Sequence, residues 1–365
     1  MMKTTMNRQQ AERRWPSRAG EIFNREWTRM NTNEREGMTA VLRRGLRTGC
    51  ALWIASLSFA SAAKPVVAVE KLPERVETFA IKTRSELNRE IPFYLRVPKN
   101  YQPGKVYRLL FLCPHLNQEG KEKLAKSPGW LALADERDWF VLSCTFKQPK
   151  DAGQDRKVAY YYPEGFSGKA MLEALETVSK KYPVDTERLL MQGLSGGAQF
   201  VHRFAMWAPD RVTAVAINSS SWFDAPNARC NQVAWLVTIG ESDESYNASL
   251  EVVDRLRNVG AAPVFRSYLG MIHEGSTTVD KLNMEFLKFY DDFTKLSLGK
   301  RHSYQTPVAE RLALAGEKMP YVGDGQDWRF FPNRIDAREA IAEDSRIYLP
   351  SEGIAKLWGQ KEEQP

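Results

Sequence analysis

Leu189-Leu190-Met191-Gln192-Gly193-Leu194-Ser195-Gly196-Gly197-Ala198-Gln199-Phe200 reads in three parts: a short apolar strand, a serine between glycines, and the start of a helix. A serine in a Gly-x-Ser-x-Gly setting sits on a sharp strand-to-helix turn. Gly193 and Gly197 leave room for the strand and helix to approach, because a Cβ at either place would collide with the other element. The turn holds the Ser195 hydroxyl clear of the backbone at a helix N-terminus, where free N–H groups and the positive end of the helix dipole face an anion. The motif alone is a weak signal, and its weight depends on what lies on either side of it.

Working outward, apolar runs alternate with helical patterns. Strands are predicted at 75–83, 91–97, 106–113 and 139–144 before the serine, and at 212–217, 233–239 and 263–269 after it. The run Val106–Cys113 is apolar throughout, as expected of a strand covered on both faces. Helices are predicted over 121–138, 167–181, 250–259 and 277–296, with apolar stripes such as 171, 172, 175 and 178. This alternation predicts an α/β fold with a mostly parallel central sheet of about eight strands and helices on both faces.

In such sheets, sites form outside the carboxyl ends of the strands. Ser195, Asp243 and His273 each follow a predicted strand. A serine hydroxyl needs a base to take its proton, and the base needs a group to orient it. The chain order Ser…Asp…His is the α/β-hydrolase order. Ser195 is therefore the candidate nucleophile, His273 the base and Asp243 the orienting acid, with Glu241 the alternative acid. Among the four histidines, His202 lies about two turns along the helix after Ser195 and reads as a packed helix residue. His302 lies beyond the pattern, and His115 belongs to the loop after the third strand. The candidate oxyanion donors are the N–H of Gly196 and, from the loop Pro114-His115-Leu116-Asn117, that of Leu116. His115, Tyr161 and Trp222 are candidate substrate contacts, with packing the competing reading of the aromatics.

Composition narrows the function classes. The chain has 365 residues, a net charge of +7 and 43% hydrophobic residues. Residues 1–62 carry 11 Lys and Arg against 5 Asp and Glu, so nearly all the excess lies there. The remainder is close to neutral, which removes the main support for nucleic-acid binding. Residues 38–62 read as a secretory signal peptide: Arg43 and Arg44 in a basic stretch, the apolar run Cys50–Ala60, and an A-x-A-like site, Ala60-Ser61-Ala62. An uncleaved anchor is the alternative, although the run is too short to span a bilayer. Cys50 stands at the start of the apolar run and not after it, which argues against a lipid-modified cysteine. Residues 1–37, upstream of Met38, are read as an unstructured extension. The expected location is secreted or periplasmic, with no stable membrane insertion once the signal is removed.

Residues 63–298 are expected to form the catalytic domain. Polar residues 299–365, with scattered aromatics and one helical signal at 351–358, are expected to form an appendage packed against it. Cys113, Cys144 and Cys230 allow at most one bridge. Cys113 and Cys144, both at strand ends, are the candidate pair. No Cys/His cluster has metal-ligand spacing, and neither a metal nor another cofactor is predicted.

The stretch Tyr182-Pro183-Val184-Asp185-Thr186-Glu187-Arg188, running into Gly193-Leu194-Ser195-Gly196-Gly197, resembles the secreted esterase branch of the α/β-hydrolases. That branch includes feruloyl and acetylxylan esterases and polyhydroxybutyrate depolymerases. Pro98-Lys99-Asn100-Tyr101 and Gly240-Glu241-Ser242-Asp243 are similar to its other landmarks, and the resemblance covers roughly residues 76–297. It implies the α/β-hydrolase fold and a serine esterase acting on a small-molecule or polysaccharide-linked ester. A peptidase or acyltransferase would use the same three residues, and a binding protein could retain the fold with altered loops. The departure is the loop at Pro114–Asn117, where the family usually has His-Gly.

Overall fold

Tyr107–Cys113 (β3) is buried along its whole length. It sits inside an eight-stranded sheet that the computed structural model describes for residues 73–83, 90–148, 155–294, 308 and 319–360. The expected N-terminal extension (1–37) and signal peptide (38–62) lie outside the described residues.

The sheet comprises β1 (Val76–Lys82), β2 (Glu90–Arg96), β3, β4 (Phe140–Cys144), β5 (Val184–Leu194), β6 (Val212–Asn218), β7 (Ala234–Gly240) and β8 (Val264–Tyr268). The strand order is β1-β2-β4-β3-β5-β6-β7-β8. The two outermost pairings at one end, β1 with β2 and β2 with β4, are antiparallel, and the rest are parallel. All eight predicted strands are present. The parallel strands β3, β6, β7 and β8 are buried throughout, as sheets covered on both faces require.

Helices cover both faces. Phe111 on β3 meets Phe200 of α4 (Gly196–Trp207), with ring centroids 5.9 Å apart. Three residues earlier, on the other face, the Arg108 guanidinium pairs with Asp291 of α6 (Thr277–Phe293) at 2.6 Å. Arg108 is nearly inaccessible, and its other nitrogens donate to the carbonyls of Arg188 and Thr294, each at 2.8 Å. Such a charge tolerates burial only because each face of the guanidinium fork has an acceptor. The remaining sheet helices are α3 (Gly168–Lys181) and α5 (Tyr246–Asn258).

The helix expected over 121–138 is instead two, α1 (Gly120–Ala125) and α2 (Pro128–Glu136). Pro128 lacks an N–H and disfavours helical backbone at Ser127, so it ends one helix and begins the next. The bridge considered for Cys113 and Cys144 is absent: these two and Cys230 are free, buried thiols. Burial pushes the Cys113 and Cys144 thiols well up, so both stay protonated and act as small apolar core residues.

The C-terminal residues cap an open sheet edge. Strands β9 (Tyr321–Asp324), β10 (Arg329–Pro332) and β11 (Arg346–Leu349) form a small sheet in the order β10-β9-β11. Of these, β11 packs against β8, the last strand of the main sheet, and α8 (Glu352–Trp358) hydrogen-bonds to it, while α7 (Ile335–Ala340) lies between β10 and β11 in the chain. An edge strand presents unpaired backbone groups that have to be covered. Trp358 covers one, its indole N–H donating to the Phe265 carbonyl at 2.6 Å while the ring packs on Trp328. Arg257 adds donors to the Asp344 and Arg346 carbonyls, at 3.1 and 2.9 Å. Gly323 is required here, since a Cβ would run into the Trp358 ring. Trp358→Ala is expected to lower stability by about 3–5 kcal/mol, seen as an earlier urea midpoint. An unchanged midpoint would mean that this capping sheet is docked independently of Trp358.

Candidate active site

Ser195 sits between β5 and α4 with φ +56° and ψ −124°, a conformation that a non-glycine residue holds only where surrounding structure enforces it. A Cβ on Gly193 would collide with the Gly197 backbone, and one on Gly197 would lie 2.7 Å from the carbonyl oxygens of Cys113 and Pro114. The Ser195 N–H donates to the Asn218 carbonyl of β6 at 3.0 Å, and the Ser195 carbonyl accepts the Gln199 N–H, also at 3.0 Å. The turn is thus pinned on both sides, and the hydroxyl projects from its tip.

His273 lies in the loop after β8. Its Nε2 is 2.8 Å from Ser195 Oγ, and its Nδ1 is 2.9 Å from Asp243 Oδ2. The other Asp243 oxygen accepts the Ser245 N–H at 2.9 Å. The Asp243 carboxylate is fully buried and the imidazole partly exposed. This arrangement assigns the proton to Nδ1 and leaves Nε2 as the acceptor facing the serine hydroxyl. Glu241 does not reach the imidazole. Its backbone N–H continues the ladder by donating to the Tyr268 carbonyl, and its carboxylate accepts from the Ser267 hydroxyl at 2.9 Å.

Two residues that sequence reasoning missed hold the His273 loop in place. A Cβ on Gly240 would run into the Met271 carbonyl, so β7 and this loop touch only because the position is glycine. Asn218 donates from its side chain to the Glu274 carbonyl at 3.2 Å, while its own carbonyl takes the Ser195 N–H. One asparagine at the end of β6 therefore ties the serine turn to the histidine turn. The only sequence hint is a polar side chain ending the apolar run Ala214–Ile217.

The N–H groups of Gly196 and Leu116 have no hydrogen-bond partner among the described residues. The Leu116 nitrogen stands 3.2 Å from the point where a Gly196 Cβ would lie, so the two amides flank one small space beside the serine. The turn that brings Leu116 inward is made without glycine: Asn117 takes φ +66°, a left-handed conformation that asparagine tolerates better than most residues. His115 is exposed and its Nδ1 lies 2.9 Å from the Leu116 carbonyl. His202 is fully buried with Nδ1 on the Ala198 carbonyl at 2.9 Å, and burial holds it neutral.

Two of the three candidate substrate contacts are at the surface and one is not. Trp222 is 54% exposed. Tyr161 is only 4% exposed, tucked with Tyr162 under the guanidinium of Arg203, whose centre is 5.5 and 4.3 Å from the two rings. Arg203, itself buried, donates to Asp224 at 3.0 Å and to the Trp222 carbonyl at 3.3 Å, so it draws both aromatic loops inward. Packing is thus the role of Tyr161 and Tyr162, for a cation on α4 takes up their ring faces.

The strand order, with the serine after β5, the acid after β7 and the histidine after β8, decides the architecture. It is the α/β-hydrolase fold. No family model and no curated protein matches the sequence. Similar solved structures include a ferulic acid esterase at 19% identity and a TM-score of 0.44, spanning 61% of this chain and 96% of that one. An S-formylglutathione hydrolase from Agrobacterium tumefaciens is 12% identical with a TM-score of 0.46, spanning 59% and 94%. An arylesterase is 14% identical with a TM-score of 0.46, spanning 60% and 86%. The activity has to be argued from the site, because this fold hosts many chemistries.

Proposed function

We propose that the chain is a serine hydrolase that cleaves a carboxylic ester through an acyl-enzyme. The observation that carries this reading is the unbroken contact chain from Ser195 through His273 to Asp243, at 2.8 and 2.9 Å, beside two N–H groups that have no partner among the described residues. Ser195 Oγ attacks the ester carbonyl carbon as its proton passes to His273 Nε2. Negative charge develops on the carbonyl oxygen, where the Gly196 and Leu116 amides can receive it. Collapse breaks the bond to the alcohol oxygen, which leaves with the proton from Nε2. A water then repeats the sequence on the acyl-enzyme, and Ser195 recovers its proton.

The rim of the site favours an apolar or aromatic ester. Leu116 is 40% exposed, Ile272 56% and Trp222 54%, and each belongs to a different loop around the serine. These exposed apolar side chains offer contacts to an apolar acyl or alcohol group. Secretion or periplasmic export, with cleavage after Ala62, belongs to the same proposal.

The test is mass spectrometry of the mature protein after treatment with a fluorophosphonate. A single adduct on Ser195 is expected, and the same spectrum should place the N-terminus at Ala63. Folded protein that takes no adduct would overturn the hydrolase reading and leave a binding protein on this fold. Given an adduct, comparing ester hydrolysis with amide cleavage and acyl transfer to an alcohol separates the esterase from its peptidase and acyltransferase counterparts.

A further inference from the structure

Tyr160 carries a buried hydroxyl with no hydrogen-bond partner among the described residues. The residue is 1% exposed. Burying a hydroxyl without a partner is unfavourable, and such groups in folded proteins call for an explanation. Its location supplies one. A Cβ added to Gly196 would overlap this oxygen, and would stand 3.2 Å from the Leu116 nitrogen and 3.3 Å from the Leu116 Cβ. The Tyr160 oxygen therefore occupies the place that a side chain on Gly196 would fill, against the same space that the two unpaired amides flank.

We propose that the Tyr160 hydroxyl is a third hydrogen-bond donor to the oxyanion formed during ester cleavage. This inference rests on the serine-hydrolase reading above and adds a residue to it. It also explains why the position after the serine is glycine, since any larger residue would displace the phenol. The hydroxyl is buried, with the Gly196 backbone and Leu116 beside it. The Leu116 side chain, 40% exposed, is free to turn outward when a carbonyl oxygen enters between the amides.

The phenol is fixed before substrate arrives. Its ring stacks on Phe146 with centroids 5.3 Å apart, and Tyr161 packs edge-on at 5.4 Å. Its backbone N–H donates to Gln148 Oε1 at 3.3 Å, and its carbonyl accepts from the Ser167 hydroxyl. A donor held in this way needs no reorganisation as charge develops, which is the condition for useful electrostatic stabilisation. Burial pushes the phenol pKa well up, so the group keeps its proton and remains a donor.

Tyr160→Phe removes the hydroxyl and preserves the ring. With 4-nitrophenyl butyrate as the probe, kcat is expected to fall about 100-fold while KM stays within about twofold, as for loss of one oxyanion donor. The urea midpoint is expected to stay equal or rise, because an unpaired buried hydroxyl has been deleted. An unchanged kcat would overturn the inference. A lowered kcat with a lowered midpoint would also overturn it, by showing that the hydroxyl serves the fold. The parent protein and Ser195→Ala, assayed alongside, keep the two claims apart. If the parent neither turns over the ester nor takes a fluorophosphonate adduct, the hydrolase reading itself has failed. If the parent does both and Tyr160→Phe matches it, only the third donor is lost.

Discussion

Ser195→Ala is expected to lower kcat for ester hydrolysis by about 10⁶-fold and to leave the fold intact. The size follows from what the hydroxyl does: without Oγ there is no acyl-enzyme, and the imidazole at 2.8 Å has no proton to accept. Water could take the place of the missing nucleophile, and the oxyanion donors alone would support a residual rate about 10³–10⁴ above that of the uncatalysed reaction. The fold should survive because the turn does not depend on Oγ. Ala keeps the Cβ already accommodated at φ +56°, and both backbone hydrogen bonds of Ser195, to Asn218 and from Gln199, persist. Circular dichroism and the urea midpoint check this second half. Turnover near the parent rate in a folded Ser195→Ala protein would remove Ser195 as nucleophile, whatever its contacts.

How much of this was legible beforehand depended on whether the controlling physics is local. The elbow was legible because two glycines, an apolar strand and a helix start lie within twelve consecutive residues, and steric exclusion at Gly193 and Gly197 acts between neighbours in sequence. The buried strands were legible because continuous apolar runs leave no polar face for solvent. The split at Ser127-Pro128 was equally local, and the proline should have ended the predicted helix there. What could not be read depends on contacts between distant segments. Tyr160 to Tyr162 look like any aromatic loop until Arg203, some forty residues on, folds over the rings of the last two. The roles of Gly240 and Asn218 cannot be read from the chain, because they arise only where the His273 loop returns against both. Leu116 was nameable from its place after the third strand. Asn117 in the left-handed region, which lets the loop turn without the usual glycine, was not.

The choice between Asp243 and Glu241 shows the same division, and it yields the second large effect. Only Ser242 separates the candidates, so sequence position alone cannot rank them. The ladder does: Glu241 still pairs with β8, which sends its side chain to Ser267, whereas Asp243 is past the strand and turns toward the imidazole. Asp243→Asn is expected to lower kcat by about 10⁴-fold with little change in KM. The cause can be followed atom by atom. Asp243 Oδ1 accepts the buried Ser245 N–H at 2.9 Å, so an asparagine must keep its oxygen there and present its NH₂ group to His273. A donor facing Nδ1 forces that nitrogen to become the acceptor and moves the ring proton to Nε2. The histidine then meets the serine hydroxyl with an N–H instead of a lone pair and cannot take its proton. Flipping the amide would restore the tautomer only by setting NH₂ against the Ser245 N–H in a buried site, which costs more than the exchange returns. Kinetics of both variants decide the matter: Asp243→Asn should show the loss, and a comparable loss in Glu241→Gln instead would transfer the role of orienting acid to Glu241.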